Sequence, residues 1–169
     1  GSGNFATSGQ LSTSDDVWDN QFFRIADLDN DGFEDILIFR RNSRKFYLNR
    51  NQGNGQDFVY SLIYDAFDDF APEYPSDFLV FDYDMDGDLD LGFISYDPYI
   101  EDFINENIYF TLYEQTCSLC FTQKSRTIVD DAIKYILDGK VKATDLDDDG
   151  YPDLIINYEK SDEPNLDRD

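Results

Sequence analysis

Histidine is absent from this 169-residue chain, and its absence excludes several kinds of active site. Imidazole is the base of Ser-His-Asp triads, a ligand of HExxH zinc sites and the usual proton carrier near neutral pH. The carboxylates are so abundant that no pair of them marks a catalytic site. We therefore predict that the protein is not an enzyme, with no catalytic residues and no organic cofactor. A non-catalytic repeat part of a secreted enzyme is an alternative.

Positive charge is also scarce. The 13 Lys and Arg residues against 37 Asp and Glu give a formal net charge of −24, so we expect no nucleic acid and no anionic membrane surface as partner. No apolar run reaches the roughly 18 residues that span a bilayer, so we expect no direct membrane insertion of this segment, and no signal peptide is visible. The 15 Phe and 12 Tyr residues supply enough apolar surface for a core and argue against disorder.

Only two cysteines occur, Cys117 and Cys120. A zinc site would need further soft ligands, which the chain lacks. A thioredoxin-like pair would open a helix, whereas this pair follows a strand-like run at 107–113. A disulfide bond in a tight turn is favoured, with two free thiols or a redox pair as alternatives. A disulfide would indicate an oxidising compartment, and we predict an extracellular or secretory-pathway location.

What the chain has in abundance is aspartate, arranged in three copies of one nine-residue pattern. The copies begin at Asp27, Asp82 and Asp145, and each has Asp at positions 1, 3, 5 and 9 and Gly at position 6. Four converging carboxylates repel one another unless a hard cation lies among them, and oxygen-only ligands suit Ca²⁺. Position 7 can add its backbone carbonyl oxygen. We predict about three Ca²⁺ ions, one per loop, with these ligands: Asp27, Asp29, Asp31, Phe33 and Asp35; Asp82, Asp84, Asp86, Asp88 and Asp90; Asp145, Asp147, Asp149, Tyr151 and Asp153.

The other positions of the pattern carry structural expectations. Glycine at position 6 permits a sharp turn that a Cβ atom would resist. Position 2 is predicted to pack beneath each loop (Leu28, Tyr83, Leu146). Position 4 is predicted to be unconstrained and to face solvent (Asn30, Met85, Asp148).

Two other interpretations of the loops fit less well. An EF-hand needs Glu at position 12 and a helix on each side. The three copies have Ile38, Phe93 and Ile156 at that position, within β-rich runs. Metal-free Asx turns are the second alternative. The recurrence of all four carboxylates in three copies argues against them.

The sequence around the loops repeats as well, with loop starts at residues 27, 82 and 145. A short apolar or alternating stretch precedes each loop and a run suited to a buried strand follows, so each loop is predicted to be the turn of a β-hairpin. Further strands at 45–49, 58–63, 108–113 and 120–129 make about four strands per unit. A short helix is predicted over 127–139, with Asp130 as its N-cap and Gly139 at its end.

These features resemble the FG-GAP/VCBS repeats of integrin α-subunit heads and many secreted proteins. The matching segments are 27–39, 82–94 and 145–156, together with the Gly/Asn turns at 51–58 and 1–5. The resemblance implies an all-β fold of β-propeller blades, each with four antiparallel strands and Ca²⁺ in an inter-strand loop. In the second unit the stretch around the two cysteines replaces the Gly/Asn turn, so an irregular outer edge is expected there.

The resemblance also implies a division of the chain into blades of an incomplete propeller. Residues 1–20 are assigned to the end of a preceding blade and its connection, although a cloning scar is an alternative for the first three residues. Residues 21–70 form a blade with the loop at 27–35, and residues 71–139 form a second blade with the loop at 82–90. Residues 140–169 begin a third blade with the loop at 145–153.

The predicted function is a calcium-binding repeat module for extracellular recognition or cell adhesion, in which Ca²⁺ is structural. Its partner would be another protein or the remaining blades of the parent chain. Carbohydrate binding is the alternative, so a glycan is a second possible partner. Sugars would stack on aromatic side chains such as Trp18, Tyr96 and Tyr99, although these side chains also suit a core.

Overall fold

The computed structural model describes residues 21–40, 45–53, 58–62, 75–96, 106–133 and 136–160, which contain ten β-strands and no helix. The strands are β1 (Gln21–Ala26), β2 (Asp35–Arg40), β3 (Lys45–Asn51), β4 (Phe58–Leu62), β5 (Pro75–Phe81), β6 (Asp90–Tyr96), β7 (Glu106–Cys117), β8 (Cys120–Ile133), β9 (Ile136–Thr144) and β10 (Asp153–Lys160). They form two four-stranded antiparallel sheets, sheet 1 (β1–β4) and sheet 2 (β5–β8), and a two-stranded sheet 3 (β9–β10). The described part of the chain is therefore all-β, as predicted, and contains no helix that could cross a membrane.

Each acidic segment is the turn of an antiparallel hairpin. Loop 1 (residues 27–35) joins β1 to β2, loop 2 (residues 82–90) joins β5 to β6, and loop 3 (residues 145–153) joins β9 to β10. The first and last strand residues beside each loop pair directly, as Ala26 does with Asp35. The predicted hairpins are confirmed, and so are the four-stranded units in sheets 1 and 2. Paired strands on both sides of each loop exclude the helix–loop–helix arrangement of an EF-hand.

The helix predicted over 127–139 is wrong. β8 continues to Ile133 and β9 begins at Ile136, with Tyr109 of β7 paired to Ile128 of β8. The run Thr127-Ile128-Val129 is β-branched and favours a strand. The pairing of β7 with β8 shifts register at four places, and these shifts interrupt the two-residue alternation that identifies a strand in a sequence. As a result, the apolar residues of this segment have spacings that resemble one face of a helix.

Aromatic side chains fill the space between sheets 1 and 2. Phe46 of β3 lies 5.6 Å from Phe78 of β5 and 5.0 Å from Phe93 of β6 between ring centroids, and both pairs meet edge to face. Ile94 points to the opposite side of sheet 2, where it joins a second core with Val141 of β9. Sheet 2 is therefore buried on both faces, which explains the nearly continuous apolar run of β6.

Asp77 connects the first strands of the three sheets. Its Oδ1 atom forms an ion pair of 2.6 Å with Arg24 of β1, and its Oδ2 atom accepts a hydrogen bond of 3.1 Å from the backbone N–H of Val141 in β9. A cavity of about 430 Å³ beside this junction is also lined by Lys140 and Lys142. The first strands of successive sheets thus lie next to one another, as the inner strands of propeller blades do.

Several predicted regions lie outside the described residues. Residues 1–20, assigned above to a preceding blade, are among them, and so are residues 161–169. The proposed domain boundaries stay predictions.

Candidate metal centre

The carboxylate at position 1 shapes each loop. In loop 1, Asp27 accepts hydrogen bonds from the backbone N–H groups of Asp31 and Gly32, at 3.0 and 2.8 Å. Asp82 accepts the equivalent two bonds in loop 2, and in loop 3 Asp145 accepts the bond from position 6. The backbone therefore curls around the first carboxylate, as expected for Asp at the start of a turn.

Two positions of each loop have a left-handed backbone. The glycine at position 6 has φ of 90°, 95° and 92° in loops 1, 2 and 3. No atom lies within 4 Å of a Cβ placed on these glycines, so the backbone conformation alone requires glycine there. Position 4 also has positive φ, at 57° for Asn30, 65° for Met85 and 60° for Asp148. All three are exposed, as predicted, but the prediction that position 4 is unconstrained is wrong.

The carboxylate at position 9 attaches the loop to the sheet. Asp35 accepts hydrogen bonds from Leu28 N at 3.3 Å and from Asn51 N in β3 at 2.8 Å. Asp90 accepts the corresponding bonds from Tyr83 N at 3.0 Å and Gln115 N at 2.8 Å. Burial raises the pKa of both carboxyl groups, although the hydrogen bonds that they accept act in the opposite direction. Each thus joins its loop to the third strand of its sheet.

Position 9 is attached less firmly in loop 3. Asp153 accepts a hydrogen bond of 2.9 Å from Leu146 N, which corresponds to the position 2 bond of the other loops. Within the described residues sheet 3 has only β9 and β10, so no third strand supplies a second donor. Asp153 is partly exposed, whereas Asp35 and Asp90 are buried.

Three predicted ligands come together in each loop. Their carboxylate oxygens lie within 4.8 Å of one another in the groups Asp27, Asp29 and Asp35; Asp82, Asp84 and Asp86; and Asp145, Asp147 and Asp153. The structure therefore brings together position 1 and position 3 in all three loops, but the third member differs. Such spacing allows three monodentate oxygen ligands to face one divalent cation.

Position 5, which belongs to the group in loop 2 only, has a further contact in every loop. The Oδ1 atom at position 5 accepts the N–H of position 7 in each loop, at 3.0 Å for Asp31 with Phe33, 2.9 Å for Asp86 with Asp88 and 2.8 Å for Asp149 with Tyr151. This bond fixes the peptide group before position 7, the residue whose carbonyl is a predicted ligand. Asp90, which has both oxygens bonded to backbone N–H groups, is not in the loop 2 group.

Asp29 is the loop 1 carboxylate that most requires a positive charge beside it. Its side chain is only 2% exposed, and neither carboxylate oxygen has a hydrogen-bond partner. Burying a carboxylate without hydrogen bonds costs several kcal/mol unless a positive charge compensates for it. Oxygen-only ligands, a turn with left-handed glycine and a buried carboxylate lacking donors all fit a hard divalent cation.

Position 2 follows the prediction only where a neighbouring sheet is present. Leu28 is 1% exposed and belongs to the core between sheets 1 and 2. Tyr83 is half-buried against the core between sheets 2 and 3. Leu146 is 64% exposed, so the prediction is wrong there. Among the described residues, no further sheet covers that side of sheet 3.

Three contacts that the sequence did not predict connect the loops to their surroundings. Arg50 of β3 forms ion pairs with Asp29 and Asp31 within loop 1. Gln115 of β7 donates from Nε2 to the carbonyl oxygen of Leu28 in loop 1, at 3.3 Å. Asn30 of loop 1 donates to the carboxylate of Asp88 in loop 2, at 2.8 Å. No local sequence signal marks these contacts, because they depend on strand register and on the packing of two sheets.

The cysteine pair and the aromatic candidates have different outcomes. Cys117 and Cys120 are joined by a disulfide bond across the β7–β8 turn, as favoured above, with Cα atoms 4.9 Å apart. Trp18 and Tyr99 lie outside the described residues, and the side chain of Tyr96 is not among those described. The carbohydrate-binding alternative therefore stays a prediction.

The fold and the loops define a class. Four-stranded antiparallel sheets that pack face to face, each with an acidic loop between its first two strands, are the units of a propeller-type repeat module. Residues 27–93 match the family model described as an FG-GAP-like repeat. The chain thus carries an FG-GAP repeat, and the predicted FG-GAP relationship is confirmed on about two fifths of its length. No curated protein and no solved structure gave a significant match.

Proposed function

We propose that each loop binds one Ca²⁺ ion and that these ions stabilise an extracellular recognition or adhesion module. The observation that carries the proposal is the buried carboxylate of Asp29, which has no hydrogen-bond donor and lies within 4.8 Å of the carboxylate oxygens of Asp27 and Asp35. Arg50 offsets part of the negative charge of this cluster, and a divalent cation would offset the rest. The groups around Asp84 and Asp147 offer the same oxygen chemistry in the other loops.

The role of the ion is structural, because every candidate ligand belongs to a hairpin turn. In this proposal the carboxylates of positions 1, 3, 5 and 9 and the carbonyl of position 7 face the ion, and position 9 also keeps the loop attached to its sheet. Cation binding to the folded loops alone then increases the free energy of unfolding. No residue is proposed to be catalytic, and the prediction that the module is not an enzyme stays a prediction.

The extracellular location is supported by the disulfide bond between Cys117 and Cys120, since such bonds persist in oxidising compartments. The recognition partner is proposed to be another protein or further blades of the same propeller. A glycan array probed with the calcium-loaded module separates this proposal from the carbohydrate-binding alternative. Saturable binding to a defined glycan would favour the alternative.

Chelation of calcium tests the structural role directly. At a free calcium concentration 100-fold above the dissociation constant, each occupied loop adds about 2.7 kcal/mol to the free energy of unfolding. We therefore expect EDTA to lower the melting temperature of the full chain by at least about 10 °C, measured by circular dichroism. Magnesium should restore little of this loss, because it requires a tighter octahedral arrangement.

A triple variant supplies the matched control. Asp29→Asn, Asp84→Asn and Asp147→Asn together remove the position 3 carboxylate from every loop while keeping the side-chain shape. Its melting temperature should be insensitive to both calcium and EDTA. An unchanged melting temperature of the wild-type chain on chelation would contradict the proposed calcium role.

A further inference from the structure

We propose that Arg50 is a built-in cation of loop 1 that competes with a divalent ion, so that loop 1 binds Ca²⁺ more weakly than loop 2. The inference rests on the proposed calcium role of the loops. It concerns the difference between them, which the shared aspartate pattern does not reveal.

The contacts of Arg50 place its guanidinium among candidate ligands. Its Nε atom forms an ion pair with Oδ2 of Asp29, and its Nη2 atom lies 3.6 Å from Oδ2 of Asp31. These carboxylates occupy positions 3 and 5 of loop 1, and the Asp29 side chain is almost completely buried. A Ca²⁺ ion bound to these carboxylates would lie close to the guanidinium, and two like charges at such a distance repel each other. Arg50 therefore opposes binding of the ion unless its guanidinium moves away.

The burial of Asp29 and the exposure of Arg50 allow the guanidinium to compete with a divalent ion for the Asp29 carboxylate. Asp29 has no hydrogen-bond donor, so its ion pair with Arg50 is the compensation for its burial in the calcium-free molecule. The guanidinium is always charged, so this compensation is present at every physiological pH. The Arg50 side chain is 45% exposed, and displacement would release it into solvent rather than into the core. The displaced state is thus accessible.

Sheet 2 has the opposite charge at the corresponding place. Asn51 and Gln115 are equivalent, because each donates its backbone N–H to the position 9 carboxylate of its own loop. The residue before Asn51 is Arg50, and the residue before Gln115 is Glu114. Glu114 pairs with Lys124 of β8 at 2.7 Å. At the position where sheet 1 has the guanidinium of Arg50, sheet 2 therefore has a carboxylate.

The occupancy of each loop can be followed separately by NMR. The backbone N–H groups of Gly32, Gly87 and Gly150 each donate to the position 1 carboxylate of their own loop. Their amide resonances report on loops 1, 2 and 3 during one calcium titration of the full chain. We expect the Gly32 signal to reach its midpoint at a calcium concentration about tenfold higher than the Gly87 signal.

Reciprocal substitutions test the role of Arg50. Arg50→Gln removes the competing charge and should lower the Gly32 midpoint about tenfold while leaving the Gly150 midpoint unchanged. Glu114→Arg places a guanidinium beside loop 2 and should raise the Gly87 midpoint. Arg50→Met serves as a second charge-removing variant if the glutamine variant misfolds. In the calcium-free state, both Arg50 variants should unfold at lower temperature than the wild-type chain.

The outcomes separate this inference from the calcium role itself. If none of the three glycine signals responds to calcium, the proposed function fails. If all three respond but Arg50→Gln raises the Gly32 midpoint or leaves it unchanged, Arg50 is not a competitor and the inference is overturned. A loop 1 control, Asp29→Asn, should abolish the response of Gly32 alone.

Discussion

Sheets 1 and 2 contain the same loop but connect it differently to the rest of the molecule. Asn51 in sheet 1 uses its side chain within its own sheet, donating to the carbonyl of Glu34 at 3.2 Å and accepting from Gly53 N at 3.0 Å. Gln115, the equivalent residue of sheet 2, is longer by one methylene group and reaches the carbonyl of Leu28 in loop 1. The shorter Asn51 side chain therefore makes a contact within sheet 1, whereas the longer Gln115 side chain connects sheet 2 to loop 1.

The comparison separates two kinds of information in the repeat. The aspartates and the glycine determine the conformation of the loop, and all three loops have them at the same positions. The residues that follow on the third strand decide whether a loop carries its own cation, as with Arg50, or connects to its neighbour, as with Gln115. Repeats with the same motif are therefore not equivalent sites, and the following predictions test how far they differ.

The largest expected difference is between Asp90 and Asp153 at position 9. Asp90→Asn and Asp153→Asn each remove one negative charge from an acidic cluster, so the relief of repulsion is similar in both. Only Asp90→Asn also turns an amide N–H₂ group toward one of two backbone donors, Tyr83 N or Gln115 N. We expect it to lower the free energy of unfolding in EDTA by about 1.5–3 kcal/mol more than Asp153→Asn does.

Urea denaturation followed by circular dichroism measures this difference. The m-value should be the same for both variants and the wild-type chain if the folded state is preserved. Equal losses for the two variants would show that the bond to the third strand contributes little, and the contrast between loops 2 and 3 would disappear.

A smaller effect is expected from shortening the bridge between the sheets. In Gln115→Asn the side chain is one methylene group shorter, so we expect it to keep Leu119 N, its donor in the same hairpin at 3.0 Å, and to lose the buried carbonyl of Leu28 in loop 1. One buried polar group is left without a partner, which costs about 1 kcal/mol. Calorimetry with EDTA should show this loss as a lower melting temperature.

The matched control is the reverse change in sheet 1, Asn51→Gln. It alters the same position without removing any contact between the sheets. The Gly32 amide resonance should shift in Gln115→Asn, because loop 1 loses a partner, and the Gly87 resonance should be unaffected in Asn51→Gln. A shift of similar size at Gly87 in the control would contradict a bridge specific to Gln115.

The features that could be predicted from the sequence are those whose partners lie within a few residues. Asp27 and Gly32 contact each other inside one loop, so the aspartate pattern was enough to predict the turn. The ion pair of Arg50 with Asp29 depends instead on the register of β2 and β3, in which Ile36 lies opposite Asn49. Leu146 shows the same limit, since its exposure depends on which sheet lies beside sheet 3.

The strand assigned wrongly as a helix has a related cause. Residues 127–133 belong to a long hairpin with repeated register shifts, and no local pattern records the partner strand. Propensity favoured a strand and apolar spacing favoured a helix, and pairing with β7 decided between them. The position 4 residues were misjudged for a different reason. Their variety of side chains concealed a common backbone requirement that only φ angles reveal.

Position 4 gives the smallest and most local prediction. Met85 has φ of 65° and is 58% exposed, whereas loops 1 and 3 have Asn30 and Asp148 at this position. Asparagine adopts the left-handed region more readily than methionine, because its short polar side chain bonds to the local backbone. We expect Met85→Asn to raise the free energy of unfolding by about 0.5–1 kcal/mol in both EDTA and calcium. Asn30→Met should lower the free energy of unfolding by a similar amount, and loss of the hydrogen bond to Asp88 should lower it further. If neither change alters the free energy of unfolding, the left-handed backbone at position 4 does not affect stability.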